Sequence, residues 1–372
     1  MTRTYRPVRV LALATNPAQA PSTRFRVLQW EAALRRAGFA LTLDAFYSEP
    51  ATADLYRPGR YARKLAHFVG GLVRRARVLA SAARTADVLL IHREACPLGW
   101  PLGLRHVRNF PGAVVYDYDD AMFLHQRKGR GLLHALERVD TPGRLMAASD
   151  AVLAGNEFLA GYARDHASNV VVLPTCIDTE RFRPADVPRA DTTCVVGWIG
   201  SHSTAKYLES LVPVLEAVGG DHPFRLAVVG SPAPLSVRGV TVDHAIWSLE
   251  REVADFQRCD VGVSPLWNDD WSRGKCGFKA IEFMACGIPV VAAAVGANYD
   301  IIEDGVNGFL AATPEEWREK LGWLLSDPPL RRKLGRAGRE TILARYSLDA
   351  HAPTIVGALR SAVDRAASRL GR

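Results

Sequence analysis

Two hydrophobic rhythms take turns along the chain. Short runs of Val, Leu, Ile and Ala are separated by longer segments in which apolar residues recur every three or four positions, the signature of strands alternating with amphipathic helices. In the first half this pattern predicts strands over residues 8–15, 39–46, 88–92, 114–118, 151–154 and 170–173. A loop at 16–22 leads into a predicted helix over 23–37, and a long basic helix is predicted over 61–84. Residues 173–193 break the rhythm with three prolines and many charges, as a linker does. The alternation then restarts, with strands at 194–199, 224–229, 261–264 and 288–294 and helices at 205–218, 249–258, 314–325, 330–345 and 348–370. Most of these strands are continuous apolar runs, suited to parallel sheets covered on both faces. The expected fold is therefore α/β, with two doubly wound Rossmann-like domains facing across a cleft. The expected boundaries are 1–185 for the first domain, 186–345 for the second and 346–372 for a final helix.

Composition narrows the partners without choosing one. A length of 372 residues suits two cores, and a net charge of +8 favours nucleotides, anionic lipid or nucleic acid. The six cysteines form no C-x-x-C pair and no metal-like spacing, so no disulfide framework is expected. The basic start followed by a short alternating run reads as a first strand rather than a signal peptide, and no run is long enough to cross a bilayer. Together these give the expectation of a cytoplasmic protein, peripheral at most on the inner face of the membrane.

The densest chemistry lies at residues 274–308, GKCGFKAIEFMACGIPVVAAAVGANYDIIEDGVNG. A glycine-bracketed turn carries Lys275 and opens a helix with Lys279 and Glu282 on one face, beside the end of a buried strand. Backbone N–H groups, the helix dipole and the two lysines suit phosphate; Glu282 suits a ribose diol. A solvated amphipathic face explains the same residues about as well. Another helix start follows GSHST, where Ser201 offers a hydroxyl and an N–H. In the first half, Arg24 and Arg26 stand at a helix start, where a cation is unfavourable unless it meets an anion, and phosphate is the natural candidate. His92, Arg93 and Glu94 end one predicted strand; Asp117, Asp119 and Asp120 end the next. Three carboxylates so close could hold a metal, or could serve an acceptor hydroxyl.

Glu282 to Val291 (EFMACGIPVV) and Glu303 to Gly308 (EDGVNG) resemble the nucleotide-sugar signature of retaining glycosyltransferases of the GT-B fold, in particular glycosyltransferase family four. The family's first glutamate is Gly274 here, and the arginine expected after Gly200 is Ser201. The resemblance implies that the final helix crosses back onto the first domain. It implies that Lys206, Lys275, Lys279 and Ser201 hold the donor diphosphate, Glu282 the ribose and the Trp247 region the base. Asp270 becomes the candidate for the missing acid near the donor sugar. His92 and Asp119 become candidate catalytic groups on the acceptor side, and neither metal nor other cofactor is expected.

The expected function is transfer of a sugar, with retention, from a nucleoside diphosphate sugar to a hydroxyl of a glycan or lipid-linked acceptor. A nucleotide-sugar epimerase and a non-catalytic nucleotide-sugar-binding module are the alternatives. An NAD-dependent oxidoreductase is disfavoured, because neither first strand leads into G-x-G-x-x-G. A nucleic-acid partner is not expected, since no basic and aromatic face stands out. The basic helix, with Arg74, Arg75, Arg77 and Arg84, reads first as a core-facing helix with a solvated face, and contact with anionic membrane is the alternative.

Overall fold

The computed structural model describes residues 6–55, 57–97, 101–125, 141–186 and 193–371. Residues 187–192 of the expected linker lie outside them. The chain divides into two compact units, Met1–Thr175 with His351–Arg372, and Cys176–Ala350.

The first unit holds six strands: β1 Val8–Ala14, β2 Phe39–Ala45, β3 Val88–His92, β4 Ala113–Tyr118, β5 Ala151–Ala154 and β6 Val170–Val172. They pair in parallel in the order β2-β1-β3-β4-β5-β6. β3, β4 and β5 are buried throughout, as strands covered on both faces must be. The order reverses between β1 and β3, so the crevice at a topological switch point opens beyond Ala14 and His92. The last helix, Leu348–Leu370, buries Ile355, Leu359, Ala362 and Ala366. Arg369 near its end donates to Asp150 at 2.7 Å and to the Gly112 carbonyl at 3.0 Å, within this unit.

The helix expected over 23–37 is broken into Pro21–Arg26, a 3-10 turn at Leu28–Trp30 and Glu31–Arg36. The reason is burial. Phe25, Arg26, Val27 and Trp30 are all buried, more than one stripe of a regular helix can hide, and Val27 takes φ −121°, ψ −64° to allow it.

The second unit holds β7 Val195–Ile199, β8 Arg225–Val229, β9 Thr241–Ala245, β10 Val261–Ser264, β11 Val290–Ala293 and β12 Phe309–Ala311. These are parallel in the order β12-β11-β10-β7-β8-β9, with the switch point between β7 and β10. Its core gathers Val196, Leu215, Leu226, Val263, Val291 and Leu321 between sheet and helices. The sequence pattern did not mark β9, a largely solvated edge strand, or β12, three residues long. The helix expected at 249–258 is confined to Glu252–Gln257.

Candidate functional site

In the second unit the chemistry collects where the strands end. After β7, Gly200 opens a loop in which the Ser201 N–H donates to Thr204 Oγ1 at 2.9 Å and the Ser201 and Ser203 hydroxyls lie 3.1 Å apart. The Ala205–Asp221 helix follows, with Lys206 in its first turn. From the neighbouring strand β10 comes Trp267, and the two segments meet: Lys206 Nζ lies 4.6 Å from the Trp267 ring centre and 4.9 Å from that of Tyr207. Trp267 Nε1 donates to Ser210 Oγ at 3.2 Å, and its ring packs edge-on to Tyr207 at 5.0 Å. The ammonium is thus held on aromatic faces over the switch point, an arrangement worth about 0.5–1 kcal/mol at exposed sites. Trp267 did not emerge from the sequence, although an aromatic between a strand end and a glycine turn was a legible signal.

The segment then runs through a short helix, Asp270–Arg273, capped by the Asp269 carboxylate, which accepts from the Ser272 N–H at 2.8 Å. Asp270 is exposed and pairs with Arg273 at 3.1 Å. Lys275 Nζ lies 5.3 Å from the Trp271 ring. Gly277 takes φ +61° and begins the buried Phe278–Ala285 helix. A Cβ at that position would overlap Ile301 Cδ1 and lie 2.8 Å from Asn298 Oδ1, so both the backbone sign and the space call for glycine. Gly277→Ala should therefore cost about 1–3 kcal/mol, read as a lower denaturant midpoint at unchanged slope. Wild-type stability would show that the turn relaxes freely.

One turn into this helix, Lys279 Nζ donates to Glu282 Oε2 at 2.6 Å. Glu282 is buried while Lys279 is 38% exposed, so a carboxylate is drawn into the helix face with an ammonium at its rim. Asn298, buried, donates to the Ala293 carbonyl at 2.8 Å, and its Oδ1 has no hydrogen-bond partner among the described residues; the same holds for Ser272 Oγ. Trp247 follows β9 and lies near Gly230, where an added Cβ would be 3.5 Å from Trp247 Cβ. The structure thus brings Ser201, Lys206, Asp270, Lys275, Lys279 and Glu282 to the carboxyl-terminal side of one sheet.

The first unit has its own cluster beyond β3 and β4. His92 Nδ1 lies 2.7 Å from Asp117 Oδ2, and Arg26 binds the other oxygen of Asp117, all three buried. Here the structure corrects the reading of Arg26. Its anion is Asp117, with further bonds to the Leu173 carbonyl at 2.7 Å and Thr175 Oγ1 at 3.4 Å, so its donors are engaged within the fold rather than offered to a phosphate. Arg24 stays at the surface side, donating to the Gln19 carbonyl at 3.2 Å with its guanidinium 4.5 Å from the Phe25 ring. Burial by itself would raise the Asp117 carboxyl; the Arg26 charge and the His92 hydrogen bond outweigh it and hold it below the usual range. Asp117 is therefore an anion, and His92 turns Nδ1 toward it and Nε2 away. That buried Nε2 has no hydrogen-bond partner among the described residues.

Asp119 and Asp120 are taken by Arg93, at 2.7 Å each. Arg93 adopts a left-handed φ of +65°, uncommon for a side chain of its size. Burial acts to raise the Asp119 carboxyl, and the Arg93 charge overrides it to hold the group well below its usual range. The three carboxylates are thus each engaged by a cationic or imidazole partner. Among the described residues no group of three His, Cys, Asp or Glu side chains is placed to hold a metal ion.

With this geometry, likenesses to known proteins gain a physical footing. Residues 193–327 match the family model for glycosyl transferases group 1. The chain is 30% identical over 268 residues to the D-inositol 3-phosphate glycosyltransferase of Stackebrandtia nassauensis, an alignment covering 62% of this chain and 58% of that protein. The chain therefore spans less than two thirds of the length of such relatives. In three dimensions it is similar to sucrose-phosphate synthase from Thermosynechococcus elongatus, with TM-score 0.70, 20% identity and coverage of 95% and 98%. It is also similar to the Anabaena protein HepE in complex with UDP and glucose, with TM-score 0.68, 16% identity and coverage of 95% and 100%. The two parallel six-stranded sheets and these neighbours show the GT-B fold, and residues 193–327 are similar to the glycosyl transferases of group 1.

Proposed function

We propose that the protein transfers a sugar, with retention of anomeric configuration, from a nucleoside diphosphate sugar to a hydroxyl of a glycan or lipid-linked acceptor. The observation that carries this reading is the meeting of Lys206 and Trp267 over the β7–β10 switch point, beside the helix start that bears Lys275, Lys279 and Glu282. Ligands of such sheets bind beyond the carboxyl ends of the strands at the switch point.

In this reading the bond from the anomeric carbon to the diphosphate breaks, and a bond from that carbon to the acceptor oxygen forms. Negative charge grows on the leaving diphosphate, and Lys206, Lys275, Lys279 and the N–H groups of the Ser201 loop and the Gly277 helix start stabilise it. Glu282 accepts hydrogen bonds from the ribose. Asp270 serves the donor sugar, in the neighbourhood where Gly274 offers no side chain. On the acceptor side the hydroxyl proton leaves with the nucleoside diphosphate, Asp117 and Arg26 hold the buried His92 imidazole, and Asp119 holds Arg93 in place. Arg24 meets an anionic acceptor. The reaction needs no metal in this account and takes place on the cytoplasmic side, at the inner face of the membrane.

The test is release of nucleoside diphosphate from each of a panel of nucleotide sugars, with and without candidate acceptors. Acceptor-dependent release with a glycosylated product supports the transferase. Interconversion of the donor sugar without any acceptor would identify an epimerase, and tight donor binding with no turnover a binding module.

A further inference from the structure

The Tyr61–Thr85 helix carries a face that ordinary surface chemistry does not explain. Its inward side buries Gly71, Arg75, Leu79 and Ala82. On a surface helix the opposite side is normally charged and polar. Here Tyr61, Leu65, Val69 and Val73, spaced four apart, are 81%, 63%, 49% and 45% exposed. Ala62, Ala66, Gly70 and Ala76 lie exposed among them, making the outer side a long apolar stripe. Large apolar groups in so regular an array mark a contact surface rather than scatter.

The charge around the stripe says what kind of contact. From Tyr61 to Thr85 the helix has no Asp or Glu, and its charged residues are Arg63, Lys64, Arg74, Arg75, Arg77 and Arg84. Arg75 is removed from the surface: it is buried on Asp44 at 2.5 Å and on the carbonyls of Ala14 and Asp44 at 2.9 Å. Arg74 is tied to the Phe46 carbonyl at 2.6 Å. Both anchor the helix to its own unit; Arg75, fully buried, drops out of the expected basic face, while Arg74 remains 44% exposed. The exposed cations are Arg63, Arg74, Arg77 and Arg84, of which Arg63 lies 3.4 Å from Asp54 and Arg74 3.4 Å from Asp44. The acids that neighbour the helix, Asp44 and Asp54, sit on its inner side, at 13% and 7% exposure.

We propose that this face is a docking surface for anionic lipid bilayer, with the helix lying flat. Tyr61, Leu65, Val69 and Val73 enter the headgroup–acyl boundary, and the arginines meet lipid phosphate. At 1.5 Å per residue the helix offers a contact about 37 Å long. An apolar stripe edged only by basic residues is the pattern of interfacial helices, and a protein partner would call for acids or hydrogen-bonding groups that the stripe does not match. Among the described residues no helix is long and apolar enough to cross a membrane, so the contact is peripheral in this region. The inference is independent of the donor site, since it is measured without nucleotide.

The experiment is flotation of the full chain with vesicles of phosphatidylcholine alone, and with vesicles containing one third phosphatidylglycerol. Wild-type protein should float with the anionic vesicles and about tenfold less with the neutral ones, and added salt should release it. The double variant Leu65→Ser/Val69→Ser, at exposed positions and with an unchanged melting temperature, should lose about tenfold in partitioning. Arg77→Gln should lower binding to the anionic vesicles while leaving any neutral binding as it is. Absence of wild-type binding to both vesicles, or equal binding by the double variant, would overturn the proposal. So would a wild-type dimer in sedimentation that the double variant dissolves, because a second copy would then own this face.

Discussion

Glu282→Gln should weaken binding of the donor nucleotide by one to two orders of magnitude, about 1.4–2.8 kcal/mol. The amide is close to isosteric with the carboxylate and keeps the helix packing, but it removes the charge that strengthens hydrogen bonds from a ribose diol. It also removes the ion-pair partner of Lys279, at 2.6 Å. The cost to stability should be small, because Lys279 is 38% exposed and water can take over its solvation. The expected pattern is therefore a large loss in affinity by titration calorimetry with a small change in melting temperature. Unchanged affinity would remove Glu282 from the ribose role and leave it a structural anchor of Lys279.

Arg26→Met should behave in the opposite way, costing about 3–5 kcal/mol of stability, because it leaves the buried Asp117 carboxylate without its cation. Acid should reproduce part of this effect in the wild type. The Asp117 and Asp119 carboxyls are held below their ordinary range in the fold. The stability they supply is present above the unfolded carboxylate pKa of about 4 and is lost as the pH falls from there through the folded values. Denaturant midpoints should hold steady from pH 7 to about pH 5 and decline below, and the decline contributed by Asp117 should shrink in Arg26→Met. A variant as stable as wild type would mean that the Arg26–Asp117–His92 chain is held by its surroundings rather than holding them.

The strands were legible because a strand covered on both faces has little choice of composition. β3, β7 and β10 are apolar almost without interruption, and all three lie buried in the middle of their sheets. The glycine turn at 274–277 was legible for a similar reason, since Gly277 alone fits a left-handed helix start against Asn298. What the sequence left hidden depends on partners far along the chain. Arg26 looks like any cation at a helix start until Asp117, 91 positions away, is brought beside it. Arg75 reads as part of an exposed basic face until Asp44 and the carbonyls of Ala14 and Asp44 draw it inward. His92 was singled out from its place at a strand end, but its partner Asp117 is brought beside it only by the pairing of β3 with β4. β9 stayed invisible because an edge strand such as TVDHA is half solvated and carries no apolar run.

The central claim is that the sheet edge bearing Lys206, Lys275, Lys279 and Glu282 receives a nucleoside diphosphate. Calorimetric titration of the full chain with UDP, GDP, ADP and TDP, repeated on Lys279→Ala, tests it most directly. The account predicts saturable one-to-one binding of at least one nucleotide, weakened about tenfold or more in the variant while the fold is kept. Binding of none of the four, or equal binding by both proteins, would contradict it.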